Sequence, residues 1–347
     1  MKVLADLFQK KYGFLPEKIV PLRSDGSDRQ IYRIHSGEQT VIGIIGNNRS
    51  ENAAFLSFSN HFKNRGLRVP EIFIEALDSG AYLEEDLGDD TLFTWMMNIR
   101  NSFGLTQEVK DMYCQVIEYL PRFQIAEGVH LDFSLCYQHD EFGAESMLWD
   151  LNYFKHRFLD EFYKRPLDTG ALESDFHTLI NFLLEEDRPY FLYRDFQSRN
   201  VMIRNNQPYF IDYQSGRHGA LQYDVASLLY DAKADLPEHF RKELIQAYLK
   251  EVQNYTHVNP ERFLKYFDGF VLIRIMQAFG AYGYLSVVKN KRHFFKSVPF
   301  AINNLKIILD KKLPILGQIP TLTRVYQNLV TDESLTTFGK DDDESRG

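Results

Sequence analysis

Cysteine is scarce: the 347 residues hold two, Cys114 and Cys136. With no CxxC pair and no His/Cys cluster, neither a disulfide framework nor a zinc site is expected, and a reducing cytoplasm is the simplest home. A basic excess is lacking as well. The formal net charge of −8 argues against a nucleic-acid partner, because a polyanion is gripped by a basic surface. The N-terminus, MKVLADLFQKKYGF, has no long apolar segment and reads as a short amphipathic helix rather than a signal peptide. The one membrane candidate, 270–288, is interrupted by Arg274, Gln277 and several glycines and tyrosines. A buried helix is expected there, and no membrane segment. No internal repeat or low-complexity domain emerges. What remains is 44% hydrophobic and 25% charged, the composition of a globular chain long enough for one large or two modest domains.

The chemistry concentrates in residues 190–224. Tyr190-Phe191-Leu192-Tyr193 has the composition of a buried strand and delivers Asp195 at its end. A hairpin follows, in which Val201-Met202-Ile203 and Tyr209-Phe210-Ile211 flank the turn residues Asn205-Asn206-Gln207-Pro208, and it places Asp212 at the end of its second arm. The order Asp195, Asn200, Asp212 is what phosphoryl transfer of the protein-kinase class requires. One Asp orients the attacking hydroxyl and accepts its proton, an Asn binds Mg²⁺, and a second Asp bridges Mg²⁺ to the phosphates of ATP. Hard cations take such oxygen ligands. Arg199, Gln197 and Gln214 flank these positions: Arg199 as a stabiliser of the transferred group or a holder of the loop, the two glutamines as acceptor or metal-water contacts.

The segments LYRDFQSRNVMI and FIDYQSG resemble the catalytic loop and metal-binding segment of the aminoglycoside phosphotransferase and choline-kinase superfamily. GALQYDVASLLYDA is similar to the following segment of bacterial anomeric N-acetylmuramate and N-acetylglucosamine kinases. The resemblance implies an ATP-dependent kinase acting on the anomeric hydroxyl of an amino sugar in cell-wall recycling. Aminoglycoside and choline-type acceptors are the alternatives. From another class comes a catalytically silent ATP-binding protein with a kinase fold.

The rest of the chain reads in that light. LRSDGSDRQIYRI is a hairpin whose turn, Ser24-Asp25-Gly26-Ser27, offers backbone N–H groups to nucleotide phosphates. A similar turn followed by an aromatic-Arg pair, here Tyr32-Arg33, occurs in the sugar kinases. The third strand, 39–45, lacks the lysine that most kinases place there, so another cation must compensate, and Arg29, Arg33 and Arg49 are the candidates. Glu51 then has no lysine partner, and a helix-dipole role is expected for it. With 69–74 and 81–84 the nucleotide lobe should be five-stranded. Glu85, Asp86 and Leu87 resemble the hinge where backbone groups receive adenine.

Helices are expected over 51–65, 108–126 with a kink at Pro121, 145–163, 174–187 with Ser174 as N-cap, 237–256, 260–287 and, last, 295–310. Glu145 lies where the related sugar kinases have a glutamate-rich segment near the acceptor. Arg274 is expected to meet a buried carboxylate or to reach the acceptor. Asp224 reads as a structural acceptor for catalytic-loop N–H groups or as an N-cap. The expected architecture is α+β, a protein-kinase-like two-lobed fold: residues 1–88 a small lobe with an antiparallel sheet, 89–330 a larger, mainly helical lobe, and 331–347 an acidic, disordered tail.

Overall fold

β-branched and aromatic residues crowd 18–45 and 72–85, and they form five antiparallel strands. In the computed structural model, which describes residues 1–22 and 28–336, helix α1 (Lys2–Tyr12) precedes β1 (Lys18–Leu22), β2 (Gln30–Ser36) and β3 (Gln39–Ile45). Helix α2 (Arg49–Asn64) then leads into β4 (Ile72–Ala76) and β5 (Ala81–Glu85). Across the sheet the order is β1-β2-β3-β5-β4, with Ile42 opposite Glu84, Gly43 opposite Leu83 and Ile44 opposite Tyr82. Successive side chains alternate between faces. Val41 and Leu83 therefore pack with Leu4, Leu7 and Phe8 of α1, while Ile42, Ile44, Tyr82 and Glu84 belong to the opposite face. Each fully buried Leu or Phe here contributes about 1.5–3 kcal/mol.

The described chain divides into two compact units, Met1–Asp140 with Tyr193–Arg217, and Glu141–Leu192 with His218 onward. The first unit continues with α3 (Leu92–Phe103) and α4 (Gln107–Pro121). At Pro121 the missing N–H ends the α-helical ladder, and Arg122–Glu127 winds as a π-helix where a kink was expected. The chain then enters the second unit through α5 (Ala144–Tyr153), which runs on as a π-helix over Phe154–Tyr163, α6 (Thr169–Leu184) and β6 (Tyr190–Leu192). It returns to the first unit for β7 (Val201–Arg204) and β8 (Gln207–Phe210), and leaves through β9 (Arg217–Gly219). Helices α7 (Leu221–Leu229), α8 (Glu238–Val252), α9 (Pro260–Gly283) and α10 (Val298–Asp310) follow.

An antiparallel N-terminal sheet and a mainly helical remainder match the expected architecture. Three details differ. Asp168, not Ser174, caps α6, its carboxylate accepting from the Ala171 N–H at 3.1 Å; Asp equals Ser as a cap. Val298–Asp310 is not the last helix, because α11 (Pro314–Gln318) and α12 (Pro320–Thr331) follow, each opened by a proline whose fixed φ suits a first turn. In the hairpin of β7 and β8 the turn shrinks to Asn205-Asn206, both at positive φ, and Gln207 and Pro208 join the ladder opposite Arg204 and Ile203. The Ser24–Ser27 turn and the tail from 337 lie outside the described residues.

Pro260–Val288 is long and apolar enough to cross a membrane, with a mean hydropathy of 1.4. Its apolar side chains have another explanation, since Phe270, Val271, Leu272, Ile273, Ile275 and Met276 are buried in the core of the second unit. Close packing there requires glycine: a Cβ at Gly283 would overlap the carbonyl oxygen of Arg157. That obstacle is backbone and cannot swing aside. Gly283→Ala is expected to cost about 1–3 kcal/mol, read as a lower urea midpoint at unchanged slope.

Candidate active site

The site in the first unit is built on an aromatic floor. Tyr193 meets Phe123, Phe196 and Tyr213 edge-on, Phe196 stacks on Phe210, and Tyr213 stacks on Phe55 with centroids 5.3 Å apart. The polar ends of these rings are also engaged. Tyr193 Oη donates to the Ile211 carbonyl at 2.6 Å, and the Tyr213 and Ser59 hydroxyls lie 2.6 Å apart. Rings locked at both ends leave the loops above them little freedom.

On this floor two residues adopt backbone conformations that side chains disfavour. Arg194 has φ 79° and Asp212 has φ 70°. A bulky or branched side chain in that region costs about 1–3 kcal/mol, so the surrounding packing must enforce it. Both lie at strand ends, where the turn redirects the chain and aims the acidic residue.

Asn200 joins the two arms. Its Nδ2 donates to the Asp195 carbonyl at 2.9 Å and to the Asp212 carboxylate at 3.2 Å, while its N–H bonds the Gln197 carbonyl at 2.9 Å. Gln214 donates to the other oxygen of Asp212 at 2.8 Å. With its nitrogen committed, the Asn200 amide still has Oδ1 to offer a cation. One carboxylate beside one amide oxygen suits a hard divalent ion that completes its shell with phosphate oxygens and water, so the donor set fits Mg²⁺. Arg199 sits over the Phe93 ring of α3, 4.7 Å from its centroid, which fastens the loop.

Sequence reasoning missed Tyr137. The segment 136–138 packs on the same loop: Cys136 Sγ donates to the Gly216 carbonyl at 3.1 Å, and Gln138 accepts from Arg217 at 3.0 Å. Between them Tyr137 hydrogen-bonds Ser215, and its phenol is pushed up by burial and then by the charges of Glu51 and Asp195. Nothing in the sequence marks this tyrosine off from the Tyr- and His-containing loop around it.

At the end of β5 the side chains are fully engaged. Arg33 grips Asp86 at 2.7 and 3.0 Å, Asp89 at 2.9 Å and the Gly88 carbonyl at 3.2 Å. Burial raises the Asp86 carboxyl, and the bonds from Arg33 and the Gly88 N–H outweigh it, so the group ends below its ordinary value. Glu85 is held by Lys63 at 3.3 Å and Arg204 at 2.5 Å, and Leu87 is buried. Backbone groups are therefore what this segment can present to a base.

On the sheet face opposite α1, Arg29 pairs with Glu51 at 2.8 Å. Glu51 thus has an ion-pair partner after all, in addition to its place in the first turn of α2. Glu84 is buried beside this pair. Burial pushes its carboxyl up to about 8; Arg29 pulls it down, while Asp212 and Glu85 add to the rise.

The second unit holds the remaining candidates. Glu145 lies in the first turn of α5, and α5 packs against α9. Arg274 of α9 donates to the Ser227 hydroxyl at 3.0 Å and to Gln277 Oε1 at 2.7 Å, so among the described residues its polar partners are neutral, not the expected carboxylate. Asp224 is fully buried in the first turn of α7 and is not its cap, a place taken by Ala220. A surface cleft of about 830 Å3 lined by Trp149, Tyr153, Arg157 and Tyr284 includes neither Glu145 nor Arg274.

Glu84 gives a direct test of the electrostatics. Its folded value lies above its unfolded one, so the folded state binds the extra proton between about pH 4.5 and about 8. Stability from this group is complete below that window and is lost as pH rises through it, by at most about 1.4 kcal/mol per pH unit. Glu84→Gln should gain stability relative to the parent as pH rises from 5.5 to 8.5, measured by urea midpoints; parallel pH curves would remove the assignment.

Comparison with known proteins adds the lineage. Residues 18–260 match the phosphotransferase enzyme family. An N-acetylmuramate/N-acetylglucosamine kinase of Neisseria meningitidis serogroup B is 26% identical over 279 residues, 78% of each chain. A protein of the same name from Pseudomonas aeruginosa is 23% identical over 311 residues, 88% of each chain. Among solved structures, choline kinase from Cryptosporidium parvum Iowa II superposes with a TM-score of 0.62 at 14% identity, covering 94% of this chain and 99% of that one.

Proposed function

We propose that this chain, which belongs to the phosphotransferase enzyme family and is a small-molecule kinase, transfers the γ-phosphoryl group of ATP to the anomeric hydroxyl of an amino sugar, N-acetylmuramate or N-acetylglucosamine. The observation that carries the catalytic part is the contact of Asn200 with both the Asp195 carbonyl and the Asp212 carboxylate, which makes one cluster of residues spaced over the loop and hairpin. The names of two curated relatives support the acceptor. A cytoplasmic place in cell-wall recycling suits that chemistry.

In the proposed mechanism, residues 1–88 form the nucleotide lobe, and 89–330 carry the catalytic loop and the acceptor site. Backbone groups of Glu85, Asp86 and Leu87 receive adenine, and Ser24, Asp25, Gly26 and Ser27 offer N–H groups to the phosphates. Arg33 keeps the adenine segment in shape through Asp86. Asn200 and Asp212 would hold Mg²⁺, which would supply charge neutralisation at the phosphates. Asp195 orients the acceptor hydroxyl and takes its proton as the oxygen forms its bond to the γ-phosphorus. The bond between that phosphorus and the ADP oxygen breaks, giving sugar phosphate and ADP. Arg199 steadies the loop, Gln197 is an acceptor-side candidate beside it, Gln214 fixes Asp212, and Asp224 supports the fold from within α7. Glu145 and Arg274 are the acceptor-side candidates; neutral partners leave Arg274 its full charge for an acceptor carboxylate.

A transfer assay with Mg·ATP against N-acetylmuramate, N-acetylglucosamine, other hexosamines, aminoglycosides and choline tests the reading. A sugar-1-phosphate should form, and Asp195→Asn should slow it by on the order of 10²–10⁴-fold at unchanged thermal stability. Phosphorylation at another position, or of an aminoglycoside or choline in preference to both sugars, would refute the acceptor.

A further inference from the structure

Transfer to any acceptor requires a cation on the nucleotide phosphates, and β3 does not supply one. On the sheet face that carries Tyr82 and Glu84, its residues are Ile42 and Ile44, both buried and apolar. Three arginines compete for the role in the sequence, and their surroundings separate them. Arg49 is 63% exposed and pairs with Asp78, itself 98% exposed, so it belongs to solvent. Arg33 spends its guanidinium on Asp86, Asp89 and the Gly88 carbonyl. Arg29 is different: its side chain is 9% exposed, it meets Glu51 at 2.8 Å, and its guanidinium lies over the Phe55 ring, 5.3 Å from the centroid.

We propose that Arg29 is the residue that binds the α- and β-phosphates of the nucleotide in this chain, with Glu51 as the positioning residue that aims it. The inference rests on the kinase reading above. Three observations converge on it. Glu51 stands in the first turn of α2 and contacts Arg29, which directly precedes β2, so the cation is anchored to a helix. Phe55, one helical turn further on, supports the plane of the guanidinium and also stacks on Tyr213, the residue next to Asp212. Arg29 is therefore tied through two rings to the metal-binding end of the site. Its positive charge is felt by Glu84 and feels Asp212 in turn, which puts it in the same electrostatic neighbourhood.

The chemistry favours arginine in this setting. A guanidinium is planar, stays charged when buried and presents a fork that matches two phosphate oxygens, whereas a lysine grips as a point charge. A cation delivered from just before β2 in this way leaves Val41–Ile45 of β3 apolar on both faces, as observed.

The test measures nucleotide binding without an acceptor, so its failure is separate from failure of the sugar reading. Isothermal titration would compare ADP with adenosine, in the presence of Mg²⁺, for the parent, Arg29→Met, Arg29→Lys and Arg49→Met. Arg29→Met should weaken ADP binding tenfold or more while leaving adenosine affinity unchanged, Arg29→Lys should recover part of the loss, and Arg49→Met should match the parent. A folded Arg29→Met that binds ADP as tightly as the parent overturns the proposal, as does an equal loss for ADP and adenosine. If Arg29→Met does not fold, Glu51→Gln keeps the arginine but removes its aim: a threefold or greater loss for ADP alone supports the assignment, and unchanged ADP affinity overturns it.

Discussion

Asn200 donates from one nitrogen to the Asp195 carbonyl and to the Asp212 carboxylate, and both of those acidic residues stand where the backbone turns sharply at the end of a strand. The relation is mutual. Positive φ at Arg194 and Asp212 redirects the chain at each strand end, and the Asn200 amide bridges the two redirected segments. Beneath it, Tyr193 ties to Ile211 by its hydroxyl, so the loop and the hairpin are clamped from two levels. Because these contacts are short-range and directional, the fold itself holds the backbone at Asp195 and the carboxylate of Asp212.

Charge is handled by sharing rather than by accumulation. The acidic side chains around β5 and the start of α2 have named counterparts: Glu85 has Lys63 and Arg204, Asp86 has Arg33, Glu51 has Arg29. Glu84 is the exception and resolves the conflict by keeping its proton. A buried carboxylate left ionised beside Asp212 would be costlier than the neutral acid.

Much of this was open to a reader of the sequence. The strands 39–45 and 81–85 and the spacing of Asp195, Asn200 and Asp212 announce themselves because strand composition and motif spacing are local properties of the chain. The Arg29–Glu51 pair does not, since an ion pair 22 residues apart leaves no periodic trace and three arginines looked equivalent. Tyr137 is hidden for the same reason: its place beside Ser215 is a tertiary fact. Ser174 is a good capping residue by composition, and only the structure shows that the helix starts earlier, at Asp168. The neutral state of Glu84 needs burial and neighbours together, neither of which a sequence states.

Cys136 closes the account of the loop at 136–138. Its thiol is half-buried, donates to the Gly216 carbonyl, and is raised by that partial burial to about 11, against the pull of Arg217. The nucleophilic and oxidisable species is the thiolate, which is scarce at neutral pH in such a site. The residue adjoining Tyr137 is thus chemically quiet. Peroxide and electrophiles find little purchase there, and Cys136 is a poor handle for a thiol-directed inhibitor.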